Sequence, residues 1–444
     1  MALEAVEDLA LHIILLKLAP KDTAKVSCVS KRLRDSASGD LLWSKFCLDD
    51  LDLVSPQDPH GNPAPSFKVA YQLWREAFAM YPWPLVLRVK RCWGRIRSWL
   101  SNNFPEAEAT LRGGASESDI EQLENLLEVK LPLPTRVLYR FHDRQELAAK
   151  KLSGNSHFLL GIMGGYCFNN RWVNVYLLSL SEVIVKTKAV AHRLGFLSKY
   201  KYIVVAASSI ASIKLFFLSC QNGELTVGAR NILTCGEMIQ CVPNSLIRSV
   251  HDSSGDQQQD AMLLWLEEHG RRLESGIIKV CERKNIKSIS LFPEIPPLCS
   301  VAVTNGVQIR ASAVLVPEFV NSLDNFRRFL FAYSIRMSLQ PEGCIINGMT
   351  FDSCQLYWRH LLIRSNGDII SNVDGEAVIG KYPLLRPGEG EFVYESFTRL
   401  PASSISGSAE GYFKFVPGRL ADQKGGLFEV QVARFPVEVQ DYIY

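Results

Sequence analysis

The segment from Gly375 to Tyr382, Gly-Glu-Ala-Val-Ile-Gly-Lys-Tyr, comes nearest in this chain to a phosphate-binding motif. A loop of the G-x-x-x-x-G-K-[ST] type needs Ser or Thr after the lysine to bind Mg²⁺, and a helix whose N-terminus faces the phosphate. Here a tyrosine and then a proline follow the lysine. We therefore predict a β-turn with buried flanks, because glycine is the usual turn residue. The alternative is a ligand loop that binds an anion through Gly375, Gly380 and Lys381.

Other residue types that carry chemistry are present without the context that catalysis or metal binding needs. No pair among the eleven cysteines has the C-x₂₋₄-C spacing of a zinc site, and no G-x-S-x-G stretch occurs. The scattered cysteines, mostly beside apolar residues, are typical of free thiols in a reducing compartment. His360 follows Arg359 in a strand-like run, and we interpret it as a sheet histidine. We expect no catalytic residue, metal or cofactor.

One cluster of cations could bind phosphate or an acidic partner. No acidic residue occurs between Glu76 and Glu106, while this stretch carries Arg88, Lys90, Arg91, Arg95 and Arg97. These cations oppose an apolar stripe at helical spacing, so a solvated helix face is the default interpretation. The tryptophans of this stretch fall on the apolar side. Because nucleic-acid binding needs exposed rings for stacking, we expect no nucleic-acid partner.

The first fifty residues hold more large apolar side chains than a small helical module can bury internally. Their spacing predicts three short helices. The apolar positions are Leu9, Ile13, Leu16, Val29, Leu33, Leu42 and Trp43. They form either an internal core or the anchors of a docking surface for a partner.

The whole chain has the composition of a multidomain globular α+β protein. Its 444 residues are 47% hydrophobic and 21% charged, and the formal net charge of +3 is too small to indicate a polyanionic partner. The longest apolar stretch, Ile203–Ile213, is too short to span a bilayer core of about 30 Å. Periodicity and turn residues divide the chain into a helical module (1–53), a Pro-rich linker (54–66), a helical connector (67–104), a mixed α/β domain (105–250), a helical bridge (251–280) and an all-β domain (281–444).

The helical module resembles an F-box. The matching residues are Ile13, Ile14 and Leu16, then Cys28-Val-Ser-Lys-Arg-Leu33, then Leu42-Trp43. Asp8-Leu9 stands where this family usually has Leu-Pro. The resemblance implies docking on a Skp-type adaptor through Leu9, Ile13, Leu16, Val29, Leu33, Leu42 and Trp43.

The C-terminal domain resembles the ApaG domain, which implies a fibronectin-III-like β-sandwich. The segments that carry the resemblance include Tyr333-Ser-Ile335, Cys354-Gln-Leu356, Arg359-His360, Val378-Ile-Gly380, Pro383-Leu-Leu385, Pro387-Gly388 and Phe392-Val-Tyr394. Residues 375–380 read G-x-A-x-x-G where some ApaG proteins carry G-x-G-x-x-G.

The middle domain resembles the SUKH (Smi/Knr-like) domain. The similar segments are Ser116–Ile120, Leu131-Pro-Leu-Pro134, Leu138–Phe141 and Leu160–Gly165. The order F-box, SUKH-like domain, ApaG domain is similar to that of a plant F-box class, the Skp-interacting partners, which has an animal counterpart.

These resemblances imply a non-catalytic substrate-recognition subunit of an SCF (Skp–cullin–F-box) ubiquitin ligase. Its expected partners are a Skp-type adaptor, through it a cullin, and an unknown protein target that is ubiquitinated and degraded by the proteasome. We expect an intracellular protein, cytoplasmic or nuclear, with no membrane partner. Two alternatives stay open: a phosphate- or pyrophosphate-binding protein that uses the ApaG domain, and an F-box scaffold outside any ligase.

Overall fold

The computed structural model describes residues 6–143, 145–146, 160–168, 171–191, 201–208, 214–229, 238–252, 257–283, 286–317, 328–401, 403 and 406–444. The helices described are α1 (Asp8–Leu15), α2 (Pro20–Val26), α3 (Lys31–Ala37), α4 (Asp40–Leu51), α5 (Phe67–Ala77), α6 (Trp83–Asn103), α7 (Pro105–Glu108), α8 (Glu117–Leu127), α9 (Leu133–Phe141), α10 (Leu180–Ala191) and α11 (Ala261–Glu274). None of them is long and apolar enough to cross a membrane.

The strands belong to a central sheet and to a C-terminal β region. The central strands are β1 (Gly164–Phe168), β2 (Arg171–Leu177), β3 (Tyr202–Ser208), β4 (Lys214–Ser219), β5 (Leu225–Ala229), β6 (Ile239–Gln240), β7 (Lys279–Arg283) and β8 (Ile286–Ser290). The C-terminal strands are β9 (Cys299–Thr304), β10 (Val307–Leu315), β11 (Arg328–Leu339), β12 (Cys344–Ile346), β13 (Met349–Phe351), β14 (Cys354–Ser365), β15 (Asp368–Glu376), β16 (Leu384–Leu385), β17 (Phe392–Pro401), β18 (Gly407–Arg419), β19 (Asp422–Gln423) and β20 (Phe428–Pro436).

The N-terminal module has four helices, so the prediction of three is wrong. The additional helix arises because the chain is interrupted between α2 and α3. There Ser30 adopts an extended backbone and caps α3, its hydroxyl accepting a hydrogen bond from the Leu33 amide (3.3 Å). Asp40 does not cap α4, which begins after Gly39. Its carboxylate instead accepts a hydrogen bond from the Phe67 amide at the start of α5 (3.0 Å).

The N-terminal module is packed directly onto the helical connector. The Trp43 ring on α4 lies 5.4 Å from the Tyr71 ring on α5, and the Tyr71 hydroxyl donates to the Asp50 carboxylate (2.6 Å). The Pro-rich linker between these helices is held as well, because the Trp74 indole donates to the Gln57 carbonyl (3.0 Å). The module is therefore attached through an ordered junction.

The central domain is built on an eight-stranded sheet with the order β6-β5-β4-β3-β2-β1-β8-β7. The mixed α/β character predicted for this region agrees with the sheet, in which β4 and β5 form a hairpin around Asn222-Gly223. All described neighbours are antiparallel except β1 and β8, which pair in parallel at Gly165 and Ser290. Helices α8 and α10 pack together and α10 contacts β3, while α6 packs against α9 and α11.

The predicted boundary between bridge and all-β domain, at residues 280 and 281, is wrong. Strands β7 and β8 form a hairpin that extends the central sheet, with Ile289 fully buried in the core. This hairpin is placed by the parallel pairing of β8 with β1, a contact of high sequence separation that local periodicity does not encode. The bridge helix is α11, capped by the Asp260 carboxylate, which accepts from the Leu263 amide (2.9 Å).

The C-terminal region consists mainly of two antiparallel sheets. One has the order β17-β11-β10-β9, and the other has the order β15-β14-β18-β19 with β16 on β14 and β20 on β18. Strand β20 contacts both β9 and β10, which brings the sheets together. Burial alternates along β10 and β20, as expected for strands with one face in a core.

The last residues return to the central domain. The Ile443 amide donates to the Cys241 carbonyl (3.0 Å), and the Trp265 indole on α11 donates to the Ile443 carbonyl (2.8 Å). The buried Lys214 ammonium donates to the Tyr444 backbone oxygen (2.6 Å). These bonds join the C-terminal region to β4, to α11 and to the residue that follows β6.

Candidate functional site

Large apolar side chains that face solvent are concentrated at the start of the chain. Seven of the twenty-two such side chains among the described residues lie within the first 54 positions: Leu9, Ile13, Ile14, Val29, Leu41, Leu48 and Val54. An apolar concentration of this kind marks an interaction surface more often than single scattered residues do. The four-helix module is therefore the first candidate site.

One part of this exposed apolar set comes from α1 and from the turn between α2 and α3. Leu9 and Ile13 stand four residues apart on α1, so they share one helix face, and their exposed fractions are 73% and 52%. Val29 in the turn is 71% exposed. Leu16, just after α1, is only half-buried and packs against the core. We call Leu9, Ile13 and Val29 the aliphatic surface.

Three of the predicted anchors lie in the core instead. Leu33, Leu42 and Trp43 are buried, so they are not available as surface anchors. Trp43 packs against Phe46 at 5.5 Å between ring centroids, and its indole donates to the Ala37 carbonyl (2.7 Å). The prediction treated the module as isolated, but α5 covers the inner face of α4 and completes its core.

Leu41 is an exposed residue that the sequence analysis did not select. It is 79% exposed, although it directly precedes the buried pair Leu42-Trp43. Helical periodicity could have found it: Leu41 and Leu48 are seven residues apart on α4 and both face solvent, opposite the buried residues Phe46 and Cys47.

A solvent-exposed ion pair links α1 to α3. The Arg32 guanidinium donates to the Asp8 carboxylate (2.7 Å) at the first turn of α1. It also bonds the Val6 carbonyl. Arg32 and Asp8 line an open polar cleft of about 730 Å³ together with His12, Lys31, Asp35 and Ser36. The aliphatic surface is thus bordered by charged residues, an arrangement common at protein interfaces.

The segment at 375–381 forms a two-residue turn. Ile379 and Gly380 both have positive φ (49° and 68°), and the backbone of Val378 and Lys381 is joined by two hydrogen bonds of 3.0 Å. The predicted turn forms, but only one of its flanks is buried: Ala377 and Val378 before it are buried, whereas Lys381 and Tyr382 after it are exposed. The amides of Ala377, Val378 and Lys381 all donate to backbone carbonyls, so they are not free for a phosphate.

The carboxylate of Glu376 lies beside this turn in the chain. The Glu376 carboxylate accepts hydrogen bonds from the Tyr357 hydroxyl (3.1 Å) and the Tyr382 hydroxyl (2.9 Å). These bonds raise the pKa of both phenols. A bound anion at Gly375, Gly380 and Lys381 would meet this carboxylate, so the geometry does not favour the ligand-loop alternative.

Seven of the ten thiols among the described residues are buried, while Cys28 is exposed. Ten cysteines are free, and Cys235 lies outside the described residues. Burial raises the pKa of the Cys299 thiol to about 11 and that of the Cys47 thiol to about 12, which keeps both in the unreactive protonated form. In the described part of the chain, no three His, Cys, Asp or Glu side chains are grouped so that they could hold a metal ion.

Two family models match the chain. The F-box-like model matches residues 7–49, which contain the aliphatic surface, and the ApaG domain model matches residues 320–417. The class is therefore that of F-box proteins with a C-terminal ApaG domain. The chain is 58% identical to the F-box protein SKIP16 of Arabidopsis thaliana over 446 residues, with both proteins covered completely. It belongs to the family of that protein, which agrees with the plant class predicted from the domain order.

More distant relatives match the same architecture. Human F-box only protein 3 is 23% identical over 445 residues, which cover 98% of this chain and 83% of the human protein. Protein ApaG of Anaeromyxobacter dehalogenans is 33% identical over 141 residues, which cover 32% of this chain and 95% of the bacterial protein. The ApaG part thus corresponds to a bacterial protein that exists on its own.

Proposed function

We propose that the chain is the substrate-recognition subunit of an SCF ubiquitin ligase and docks on a Skp-type adaptor through the aliphatic surface. The observation that carries this proposal is the exposure of Leu9, Ile13 and Val29 inside the F-box match. Helical apolar faces of this kind insert into a groove of a partner and gain free energy from burial. We include Leu41 in the proposed contact because it is exposed and lies inside the same match.

The mechanism would be proximity. The adaptor and a cullin would hold the receptor near a ubiquitin-loaded conjugating enzyme, and the receptor would hold the target there for ubiquitination and proteasomal degradation. The ordered junction between α4 and α5 supports this role, because it sets one orientation of the target-binding domains relative to the adaptor. The chemistry would belong to the other subunits, and such a receptor would act in the cytoplasm or nucleus.

The central and C-terminal domains would recognise the target. We assign the central domain as SUKH-like, now extended to β8. The segment Ser116–Ile120, which carries part of the resemblance, forms a capping box at the start of α8. Ser116 accepts from the Asp119 amide (3.1 Å), and the Asp119 carboxylate accepts from the Ser116 amide (2.9 Å). The two packed sheets of the C-terminal region support a fibronectin-III-like arrangement.

The test is co-elution of the purified full chain with a Skp-type adaptor in size-exclusion chromatography. The test variant is Leu9→Asp/Ile13→Asp. The control is Val185→Asp, which places the same charge on an exposed apolar position (66% exposed) of α10. We expect a 1:1 complex for the wild type and the control, and its loss in the test variant without loss of folding. Failure of a folded wild type to bind would overturn the proposal.

Adding a cullin to the same mixture distinguishes a ligase receptor from a scaffold that acts outside any ligase. A receptor co-elutes with adaptor and cullin, whereas a scaffold retains the adaptor alone. Phosphate titration followed at the amides of Gly375 and Gly380 tests the ligand-loop alternative. We expect no shift, because the neighbouring amides are occupied and Glu376 is close.

A further inference from the structure

A charged groove of about 680 Å³ lies between α6 and α11, outside the aliphatic surface. Apolar side chains in its lining include Leu85, Cys92 and Leu264, and Tyr442 contributes a ring from the C-terminal segment. The volume falls within the range of about 300–1,000 Å³ that is typical of ligand sites. The groove is therefore large enough for a few amino-acid side chains.

Arginines exceed carboxylates in this lining. Four arginines, Arg88, Arg91, Arg95 and Arg271, face two carboxylates, Glu267 and Glu268. Three of these four, Arg88, Arg91 and Arg95, lie on α6 at spacings of three and four residues, so they form one stripe along the helix. This is the basic cluster of the sequence, and the structure places part of it in a concave site.

Both carboxylates already accept hydrogen bonds from arginines of the fold. Arg88 forms two hydrogen bonds with Glu267 (2.7 and 2.6 Å), and Arg271 forms two with Glu268 (both 2.6 Å). Glu268 also accepts from Arg272 (2.9 Å). The acids of the groove are thus neutralised by charges that belong to the fold.

Two cations remain for an external ligand. Arg91 is exposed, and its one hydrogen bond among the described residues runs from Nε to the Leu87 carbonyl of its own helix (3.3 Å). Arg95 pairs with Glu274, but both side chains are about half exposed (42% and 49%), so water screens this pair. An incoming carboxylate can therefore bind Arg91 and compete for Arg95.

We propose that this groove binds a short acidic segment of a protein, with carboxylates on Arg91 and Arg95 and an apolar side chain against Leu264. The guanidinium fork matches the carboxylate in two parallel hydrogen bonds, which gives direction as well as attraction. Describing this segment as part of the target rests on the proposed receptor function. Binding of the acidic segment itself does not need the adaptor.

An acidic protein segment fits better than a nucleic acid. Arg88 and Arg271 are already paired with Glu267 and Glu268, so a continuous phosphate backbone would find no unbroken row of available cations. A peptide can place its few carboxylates only at Arg91 and Arg95. Tyr442 is half-buried and is the one aromatic side chain in the described lining. Successive bases would therefore find no row of aromatic rings on which to stack.

The test uses a fluorescein-labelled nonapeptide of the repeat Glu-Glu-Leu, with Gln-Gln-Leu as its uncharged counterpart, and fluorescence anisotropy of the full chain. The test variant is Arg91→Glu. The control is Arg399→Glu, which makes the same change at an exposed arginine of β17. We expect the charged peptide to bind the wild type, with a Kd raised about tenfold or more by Arg91→Glu and changed less than about twofold by Arg399→Glu. Binding should weaken as salt rises from about 0.05 to 0.5 M.

Three results would overturn the proposal: equal binding of the uncharged peptide, equal effects of the two variants, or tighter binding of a labelled single-stranded oligonucleotide that Arg91→Glu abolishes. Co-elution of the Arg91→Glu variant with the adaptor is measured alongside these titrations. Intact adaptor binding with lost peptide binding places the defect in the groove. If the wild type binds the peptide but not the adaptor, the receptor role is overturned and the assignment of the groove is unaffected.

Discussion

Arg88 and Glu267 join α6 to α11 through two parallel hydrogen bonds: Nε to Oε1 at 2.7 Å and Nη2 to Oε2 at 2.6 Å. Both side chains are less than one-third exposed. A third bond runs from Arg88 Nη1 to the Gln259 side chain (3.0 Å), beside the buried cap Asp260. The pair therefore fixes the connector helix against the bridge helix.

Removing one member of this pair should loosen the contact between α6 and α11. Glu267→Gln leaves a partly buried guanidinium without its carboxylate, and we expect the free energy of unfolding to fall by about 1–3 kcal/mol. Urea unfolding measures the change. Glu121→Gln, at an exposed position of α8, makes the same substitution as a control and should change it by less than about 0.5 kcal/mol. Equal effects of both substitutions would contradict this role.

Trp43 and Ile13 should respond to substitution in opposite ways. Trp43→Ala removes a buried ring and the bond to Ala37, and we expect it to destabilise the N-terminal module by about 3–5 kcal/mol. Ile13→Asp changes an exposed side chain and should leave the thermal midpoint nearly unchanged while it weakens adaptor binding. Thermal unfolding and co-elution, measured on the same samples, distinguish the core role from the surface role. A destabilised Ile13→Asp would contradict the proposed surface position.

Acid should destabilise the central domain through His269. Burial lowers the pKa of this imidazole from 6.5 to about 4, and its Nε2 donates to the Ile162 carbonyl (2.7 Å). Between these values the unfolded chain binds a proton and the folded chain does not, so stability is present above pH 6.5 and is lost as pH falls toward 4. His142, whose pKa burial also lowers to about 4, acts in the same direction.

The expected loss from His269 is on the order of 2 kcal/mol between pH 7 and pH 5. Urea unfolding at the two pH values measures it. His269→Gln removes the titration, so the variant should lose less stability than the wild type over the same interval, whatever its stability at pH 7. An unchanged pH dependence in the variant would exclude His269 as the cause.

Replacing Ile379 with a residue that favours positive φ should stabilise the turn. A β-branched residue at φ 49° is in the left-handed region, which costs about 1–2 kcal/mol. Asn-Gly is the preferred sequence for a two-residue turn with two positive φ angles. We expect Ile379→Asn to raise the free energy of unfolding by about 1 kcal/mol in urea unfolding. Ile369→Asn, at an exposed position of strand β15, serves as the control and should not stabilise the protein.

The sequence by itself determined the local elements and the order of the domains. Ser116 and Asp119 are three residues apart, and both capping bonds form because this geometry is contained within one helical turn. The turn around Gly380 and the hairpin at Asn222-Gly223 each contain a glycine, which adopts positive φ readily, although Ile379 beside Gly380 does not. The resemblances to an F-box and an ApaG domain rest on runs of neighbouring residues, and both family models match them.

Only the tertiary structure decided which apolar residues are surface and which are core. Leu41 and Leu42 are equally apolar and adjacent, yet one faces solvent and the other is buried, because α5 packs against one side of α4. Strands β7 and β8 join the central sheet through a parallel pair with β1, more than a hundred residues earlier in the chain. Such contacts depend on the positions of distant elements, so spacing within a short window does not specify them. The groove at Arg91 is likewise formed only where α6 meets α11.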